Sequence, residues 1–176
     1  MTEGDAERIA EGTLPGTGLL RDVTLEDLST FFLQQLDESA NYMAAFTAKN
    51  PSDKAAFLAH WARILGDKTI IKKTILWQGQ VAGHISRFEQ FGNSEVSYWL
   101  GKPFWGQGIA TWALAEFLHL VTVRPLYARA VSDNFASRRV LEKCGFTISG
   151  HNRDFANARS EVVEEVILRL DGHQKL

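Results

Sequence analysis

A chain of 176 residues is the size of one folded domain and leaves little room for two. With 45% hydrophobic residues, 11 Phe and 5 Trp among them, it can build a sizeable core, which excludes a disordered chain. The formal net charge of −2 supplies no global field for nucleic acid or an anionic membrane, so neither is expected as a partner.

A single cysteine, Cys144, excludes an intramolecular disulfide, and no Cys/His cluster has metal-ligand spacing, so no metal is expected. The acidic N-terminus lacks the apolar run of a signal peptide. No apolar stretch approaches the roughly 20 residues that span a bilayer. The expectation is a cytoplasmic protein.

Residues 1–18, rich in Gly, Thr and charge, predict a poorly ordered arm, and residues 19–176 a single domain. Leu19–Val23 reads as a short strand. Thr24 then caps a helix, with Asp27 at the capping-box distance and Leu25, Leu28, Phe32, Leu33 and Leu36 as its buried stripe. Asn50-Pro51 opens a second helix, with Phe57, Leu58, Trp61, Ile64 and Leu65 apolar, and Gly66-Asp67 ends it. The segments 37–50 and 151–160 read as loops.

From Thr69 the period becomes strand-like. Ile70–Trp77, a turn at Gln78-Gly79-Gln80, Val81–Glu89, a turn at Phe91-Gly92-Asn93 and Glu95–Leu100 predict three consecutive antiparallel strands. Helix, strand, helix and two strands follow, over Gly108–Val121, Leu126–Val131, Asn134–Lys143, Phe146–Arg153 and Glu161–Leu170. The sum is an α/β (α+β) fold, a mixed and mostly antiparallel sheet of about seven strands with helices on both faces.

The stretch that carries chemistry runs from Val96 to Thr111. A strand leads into Gly101 and Pro103, and Gly106-Gln107-Gly108 passes directly into an amphipathic helix with Ile109, Trp112, Ala113, Phe117 and Leu120 on its core side. Glycine lets a ligand approach the backbone closely, and a helix start offers free N–H groups and partial positive charge. The physical reading is a pyrophosphate cradle. It is not a P-loop, since Gln107-Gly108 stands in place of Lys-Ser/Thr. A dinucleotide fingerprint also fails, because Thr111 occupies the third glycine position and the preceding strands read as antiparallel hairpins.

A second segment, Asn134-Phe-Ala-Ser-Arg-Arg-Val-Leu-Glu-Lys-Cys-Gly-Phe146, raises the weight of the first. Tyr98-Trp-Leu, Trp105-Gly-x-Gly-x-Ala110, Asn134-x-x-Ser137 and Leu141-Glu-Lys-x-Gly-Phe146 occur in this order. Together they resemble the GNAT acetyltransferase superfamily, within it the branch of ribosomal-protein-alanine N-acetyltransferases. The resemblance covers Leu19 to Leu170.

It implies that the Glu95–Leu100 and Leu126–Val131 strands splay apart and that acetyl-CoA, the co-substrate, lies between them. Backbone N–H groups from Trp105, Gly106, Gln107, Gly108, Ile109, Ala110 and Thr111 would hold its pyrophosphate, although Trp105 stands where the superfamily usually has glutamine or arginine. Asn134 would bond the pantetheine, Arg138 and Lys143 the phosphates, and N–H groups near Leu100 the developing oxyanion. Ser137 would bond the departing sulfur, with Tyr98 as a rival. Arg139 is left open between the phosphates and a solvated helix face.

Glu95 is the candidate base, or a solvated strand-end residue. Asp154 is a looser match. His84 reads as facing either core or cleft, and Cys144 as core. Glu164 and Glu165 are adjacent in a strand and face opposite ways, so they are not a pair. The resemblance implies transfer of an acetyl group to a primary amine, on a protein N-terminus or a small molecule, by direct attack in a ternary complex. The residues 37–50 and 151–160, with Asp37, Glu38, Asn41, Arg153, Asp154 and Arg159, would select the acceptor. A non-catalytic acyl-CoA-binding sensor or scaffold is the alternative, and a homodimer through the last strands stays open.

Overall fold

The computed structural model describes residues 18–172. All but the last residue of the expected N-terminal arm lies outside this range. Gly18 is the exception, since it begins strand β1.

Strand β1 (Gly18–Asp22) leads to helices α1 (Asp27–Gln35), α2 (Glu38–Ala44) and α3 (Lys54–Gly66). Strands β2 (Ile71–Trp77), β3 (Gln80–Gln90) and β4 (Asn93–Leu100) follow as hairpins. Their tight turns place Gln78 with Gly79, and Phe91 with Gly92, at positive φ, the pairing that two-residue hairpin loops require. A 3-10 turn (Lys102–Phe104), α4 (Ile109–Leu120), β5 (Leu126–Val131), α5 (Phe135–Lys143), β6 (Thr147–Ala156) and β7 (Glu161–Leu170) complete the order. The seven-stranded sheet runs β1-β2-β3-β4-β5-β7-β6, and every adjacent pair is antiparallel except β4–β5.

Helices cover both faces, as expected. Alternation along β4 sends Val96, Tyr98 and Leu100 toward α4 and α5, where they join the main core of Ile85, Ile109, Leu114, Phe117, Leu126, Leu141 and Leu168. Glu95, Ser97 and Trp99 point to the opposite face. There Leu28 and Phe31 of α1 pack on Phe57 and Trp61 of α3. A small cluster of Ala45, Val131, Ala156 and Val163 seats the end of α2.

Several local expectations need correction. Leu25, Leu33 and Leu36 are exposed, and the buried stripe of α1 is Leu28 and Phe31. Leu25 precedes the first turn, and Leu33 lies about 200° around the helix from Phe31. Half of the Thr24 capping box forms, because Asp27 accepts the Thr24 N–H at 2.9 Å. Thr24 itself caps nothing, and the N-cap position falls to Glu26.

Asn50 does not open α3. Its side chain accepts from Ser52, closing a turn, and Asp53 caps the helix by accepting the Ala56 N–H at 2.9 Å. In α4 the buried stripe is rotated toward Leu114 and Val121, leaving Leu120 exposed. Residues 38–44, expected as loop, form α2, capped by Asp37 through the Ala40 N–H. Strand β6 runs on past the expected strand end at Arg153 to Ala156, through residues 154–156 expected as loop.

Candidate active site

Strands β4 and β5 run parallel but pair in a ladder only at Glu95↔Tyr127. Beyond that point they part, and a cleft of about 800 Å³ opens between them. The β3–β4 register decides what lines it. Gly101 donates to the Ala82 carbonyl at 2.8 Å, and Gly83 stands opposite Leu100. Leu100 therefore sits at a non-hydrogen-bonded position relative to β3, as do Tyr98 and Val96 by alternation. Their backbone groups face away from β3, toward β5. Val96 lies where the ladder to Tyr127 still closes, whereas Tyr98 and Leu100 face the gap. The Leu100 carbonyl accepts the Trp105 indole N–H at 2.8 Å, which folds the following loop back over the cleft mouth.

That loop ends in two left-handed residues, Gly106 (φ +72°) and Gly108 (φ +77°), and a Cβ added at either would meet nothing within 4 Å. Gly108 is the N-cap of α4, and no side chain caps this helix start. Four N–H groups of its first turn are thus free for an anion. Gly106, Gly108, Ile109, Ala110, Thr111 and Trp105 line the cleft, whereas Gln107 bonds the Pro103 carbonyl and is not among the lining residues.

From α5, Ser137, Arg139 and Lys143 line the same cleft. Arg138 does not join them: it donates to the Ser132 carbonyl at 2.9 Å and its guanidinium lies over the Phe135 ring. One residue along a helix is a 100° rotation, so of the two arginines it is Arg139 that the helix turns to the cleft. Asn134 also lines the cleft, with both side-chain ends engaged. Its Oδ1 caps α5 by accepting the Ser137 N–H, and its Nδ2 donates to the Met43 carbonyl of α2.

Tyr98 and Ser137 meet on the α4–α5 side, with hydroxyl oxygens 2.8 Å apart. Burial pushes the Tyr98 phenol up to about 12, so it stays protonated and remains a donor at neutral pH. If its O–H donates to Ser137 Oγ, the Ser137 proton is left for a third atom in the cleft.

The opposite face holds the charge. Glu95 is only 3% exposed, and its Oε1 accepts from Arg129 Nε at 3.0 Å. Arg129 Nη1 donates to Glu165 at 2.9 Å, and Asn152 donates to the same Glu165 oxygen. Burial lifts the Glu95 carboxyl above its ordinary range. The Arg129 cation offsets this in part, and the Glu165 charge adds to it. Asp154 lines the cleft on this face too.

Arg129 is absent from the sequence expectations, and Glu165 enters them only as a residue that does not pair with Glu164. The available signal was alternation: Leu126, Ala128 and Ala130 are apolar, which sends Arg129 to the other face of β5. Glu164 and Glu165 do face opposite ways, Glu164 being exposed and Glu165 buried. His84 packs against Phe31 and Trp61, away from the cleft, and Cys144 packs against the core beside the Thr111 carbonyl.

A family model described as an acetyltransferase (GNAT) domain matches residues 19–147, most of the chain. The chain belongs to the GNAT acetyltransferase family. A "Putative ribosomal N-acetyltransferase YdaF" from Bacillus subtilis (strain 168) is 30% identical over 148 residues, 77% of this chain and 79% of the relative. Among solved structures, RimJ of Mycobacterium smegmatis superposes with a TM-score of 0.74 at 18% identity, over 88% of this chain and 82% of that one. The RimL ribosomal L7/L12 α-N-protein acetyltransferase in complex with coenzyme A gives 0.73 at 19%, over 90% and 97%. The microcin C7 self-immunity acetyltransferase MccE, in complex with acetyl-CoA and AMP, gives 0.71 at 19%, over 93% and 99%.

Membership makes this GNAT protein an acetyltransferase with acetyl-CoA as its co-substrate. The cleft suits that molecule: an uncapped helix start and two basic side chains for phosphates, and unpaired strand backbone for amides. No helix among the described residues is long and apolar enough to cross a membrane.

Proposed function

We propose that this acetyltransferase moves the acetyl group to a primary amine by direct attack, and that the amine belongs to a peptide or protein N-terminus. The observation that supports it best is a gap lined from both faces of the sheet, with a hydroxyl pair on one side and three carboxylates on the other. Glu95, Glu165 and Asp154 against the single Arg129 leave this mouth net negative, which suits an ammonium. Exposed Phe46 and Phe91 at its rim offer apolar surface to a neighbouring residue.

In this reading the N–H groups of residues 106–111 hold the pyrophosphate, the Trp105 N–H being taken by the Lys102 carbonyl at 3.1 Å. Lys143 and Arg139 hold the phosphates, Arg139 taking the place first expected of Arg138. The backbone of Tyr98 and Leu100 holds the pantetheine arm. Fixing amine and thioester in one geometry supplies about 7–11 kcal/mol of the barrier. Glu95 takes a proton from the incoming ammonium. The amine nitrogen then bonds the carbonyl carbon, and the Leu100 N–H stabilises the oxygen as it gains charge. The C–S bond breaks as the attacking nitrogen gives up its second proton. The departing thiolate, held by the Ser137 hydrogen bond that Tyr98 reinforces, takes up that proton to become the thiol, while Glu95 returns its own proton to solvent. Amide and coenzyme thiol leave.

The test is release of coenzyme thiol from acetyl-CoA with a short peptide bearing a free α-amine, its N-blocked twin, and a set of small amines. Turnover with the free peptide alone is the expected result. Turnover with small amines only would move the acceptor to that class. Acetyl-CoA binding without turnover on any primary amine would overturn the reading.

A further inference from the structure

Glu95, Arg129 and Glu165 come from the neighbouring strands β4, β5 and β7 and meet on the acceptor side of the cleft. The Arg129 guanidinium bridges the two carboxylates at 3.0 and 2.9 Å, and Asn152 of β6 closes the row at 2.9 Å from Glu165. Four strands are therefore tied by one chain of side chains. The row lies where the β4–β5 ladder stops, so Arg129 spans the gap at the end where backbone pairing gives out. Phe91, from the β3–β4 turn, covers the guanidinium at 4.9 Å.

A planar guanidinium can serve two carboxylates from separate edges, which a lysine ammonium cannot do with the same geometry. Two carboxylates share one cation, so the buried row carries one negative charge in excess. Among the described residues, Glu95 Oε2 receives no hydrogen bond. We propose that Arg129 is a positioning residue for acetyl transfer: it fixes the Glu95 carboxylate at the closed end of the β4–β5 gap, one oxygen held and the other left for the acceptor's proton. This rests on the reading of Glu95 as proton acceptor.

The charged groups around Glu95 set the signs. Arg129 faces it from β5, Glu165 from β7 and Asp154 from β6, while Arg139 and Lys143 of α5 line the same cleft. From β3 its cross-strand neighbour is Phe88, and Arg87 and Glu89 project from the opposite face. Helix α2 contributes only Ala40, Met43 and Ala44 to the lining. Removing the cation raises Glu95 further, and removing the Glu165 charge lowers it.

The experiment compares wild type with Arg129→Gln, Arg129→Lys, Glu165→Gln and Glu95→Gln. In the free enzyme, ¹³C-labelled glutamate carboxyls are titrated, Glu95 being the resonance that Glu95→Gln lacks. In parallel, the pH profile of kcat/KM is measured with acetyl-CoA and a free-amine peptide, and acetyl-CoA affinity by calorimetry. Arg129→Gln should move both the titration and the acid limb upward by about 1–3 pH units and lower kcat at least about tenfold. Acetyl-CoA affinity should stay unchanged, and Arg129→Lys should restore only part of the rate. Glu165→Gln, which keeps the Arg129–Glu95 pair, should shift both downward. An unmoved Glu95 in both variants, with Glu95→Gln inactive, overturns the role of Arg129 alone. A Glu95→Gln enzyme of wild-type rate and profile overturns the proton-acceptor reading beneath it.

Discussion

Gly108 shows how one residue separates a backbone role from a steric one. Its φ of +77° is a left-handed conformation, yet a side chain there would meet empty space. Gly108→Ala should therefore cost only the left-handed penalty, about 1–2 kcal/mol, read as a modest fall in melting temperature with acetyl-CoA still bound. Gly108→Glu adds a negative charge at the uncapped start of α4. Calorimetry should then show acetyl-CoA affinity down on the order of 100-fold in a protein that still melts cooperatively. An unchanged affinity would remove the cradle assignment. The glycine-headed helix start was legible because its signal is local, two glycines directly before a helical period. Arg129 was not, because its meaning depends on carboxylates 34 and 36 residues away that only strand register brings beside it.

At the scale of elements, the three antiparallel hairpin strands and the glycine-headed helix followed from period and turn chemistry. Helix α2 did not, because beyond its local Asp37 cap the groups that hold its C-terminal end are distant in sequence. Its C-terminal carbonyls are taken up from elsewhere: Met43 by Asn134, Tyr42 by Arg159, and Ala45 by the Ala158 N–H. Arg159 also makes a paired contact with Asp133 at 2.7 and 2.8 Å and lies over the Tyr42 ring. A seven-residue helix has little intrinsic stability, so these ties decide whether it forms. Arg159→Met should release the end of α2 and lower stability by about 1–3 kcal/mol, measured by denaturant melt. Because Met43 and Ala44 line the cleft on the acceptor side, the acceptor KM should rise while acetyl-CoA affinity holds.

For the whole molecule, two buried groups make the largest contributions to the loss of stability in acid, while the raised Glu95 works weakly the other way. His84, enclosed by Phe31 and Trp61, is held at about 4 by burial, with His60 adding to the effect. Asp27 would be raised by burial, but bonds from Arg21, the Thr24 N–H and Thr74 bring it down to about 2. In both cases the folded value lies below the unfolded one, so the unfolded chain takes up protons first as pH falls. Stability should thus be full above about pH 6.5. It should drop by roughly 3 kcal/mol between pH 6.5 and 4 through His84, and by roughly 2 more between about pH 4 and 2 through Asp27. Denaturant melts of His84→Phe should flatten the upper window and leave the lower one. A slope unchanged in that variant would exclude His84 as its source.

The gap between β4 and β5 is lined by Tyr98 and Ser137 on one face and by Glu95 and Asp154 on the other, so on the proposed reading each face of the sheet offers its own approach to it. Carrier and acceptor then need not queue at one door. A spent carrier can be exchanged from one side while the acceptor waits at the other. If the acceptor is the terminal amine proposed above, only that amine has to enter, and the bulk of whatever bears it can stay outside. What limits the acceptor is the width of its tip, and an entire folded partner is admissible where a closed pocket would admit only a small molecule.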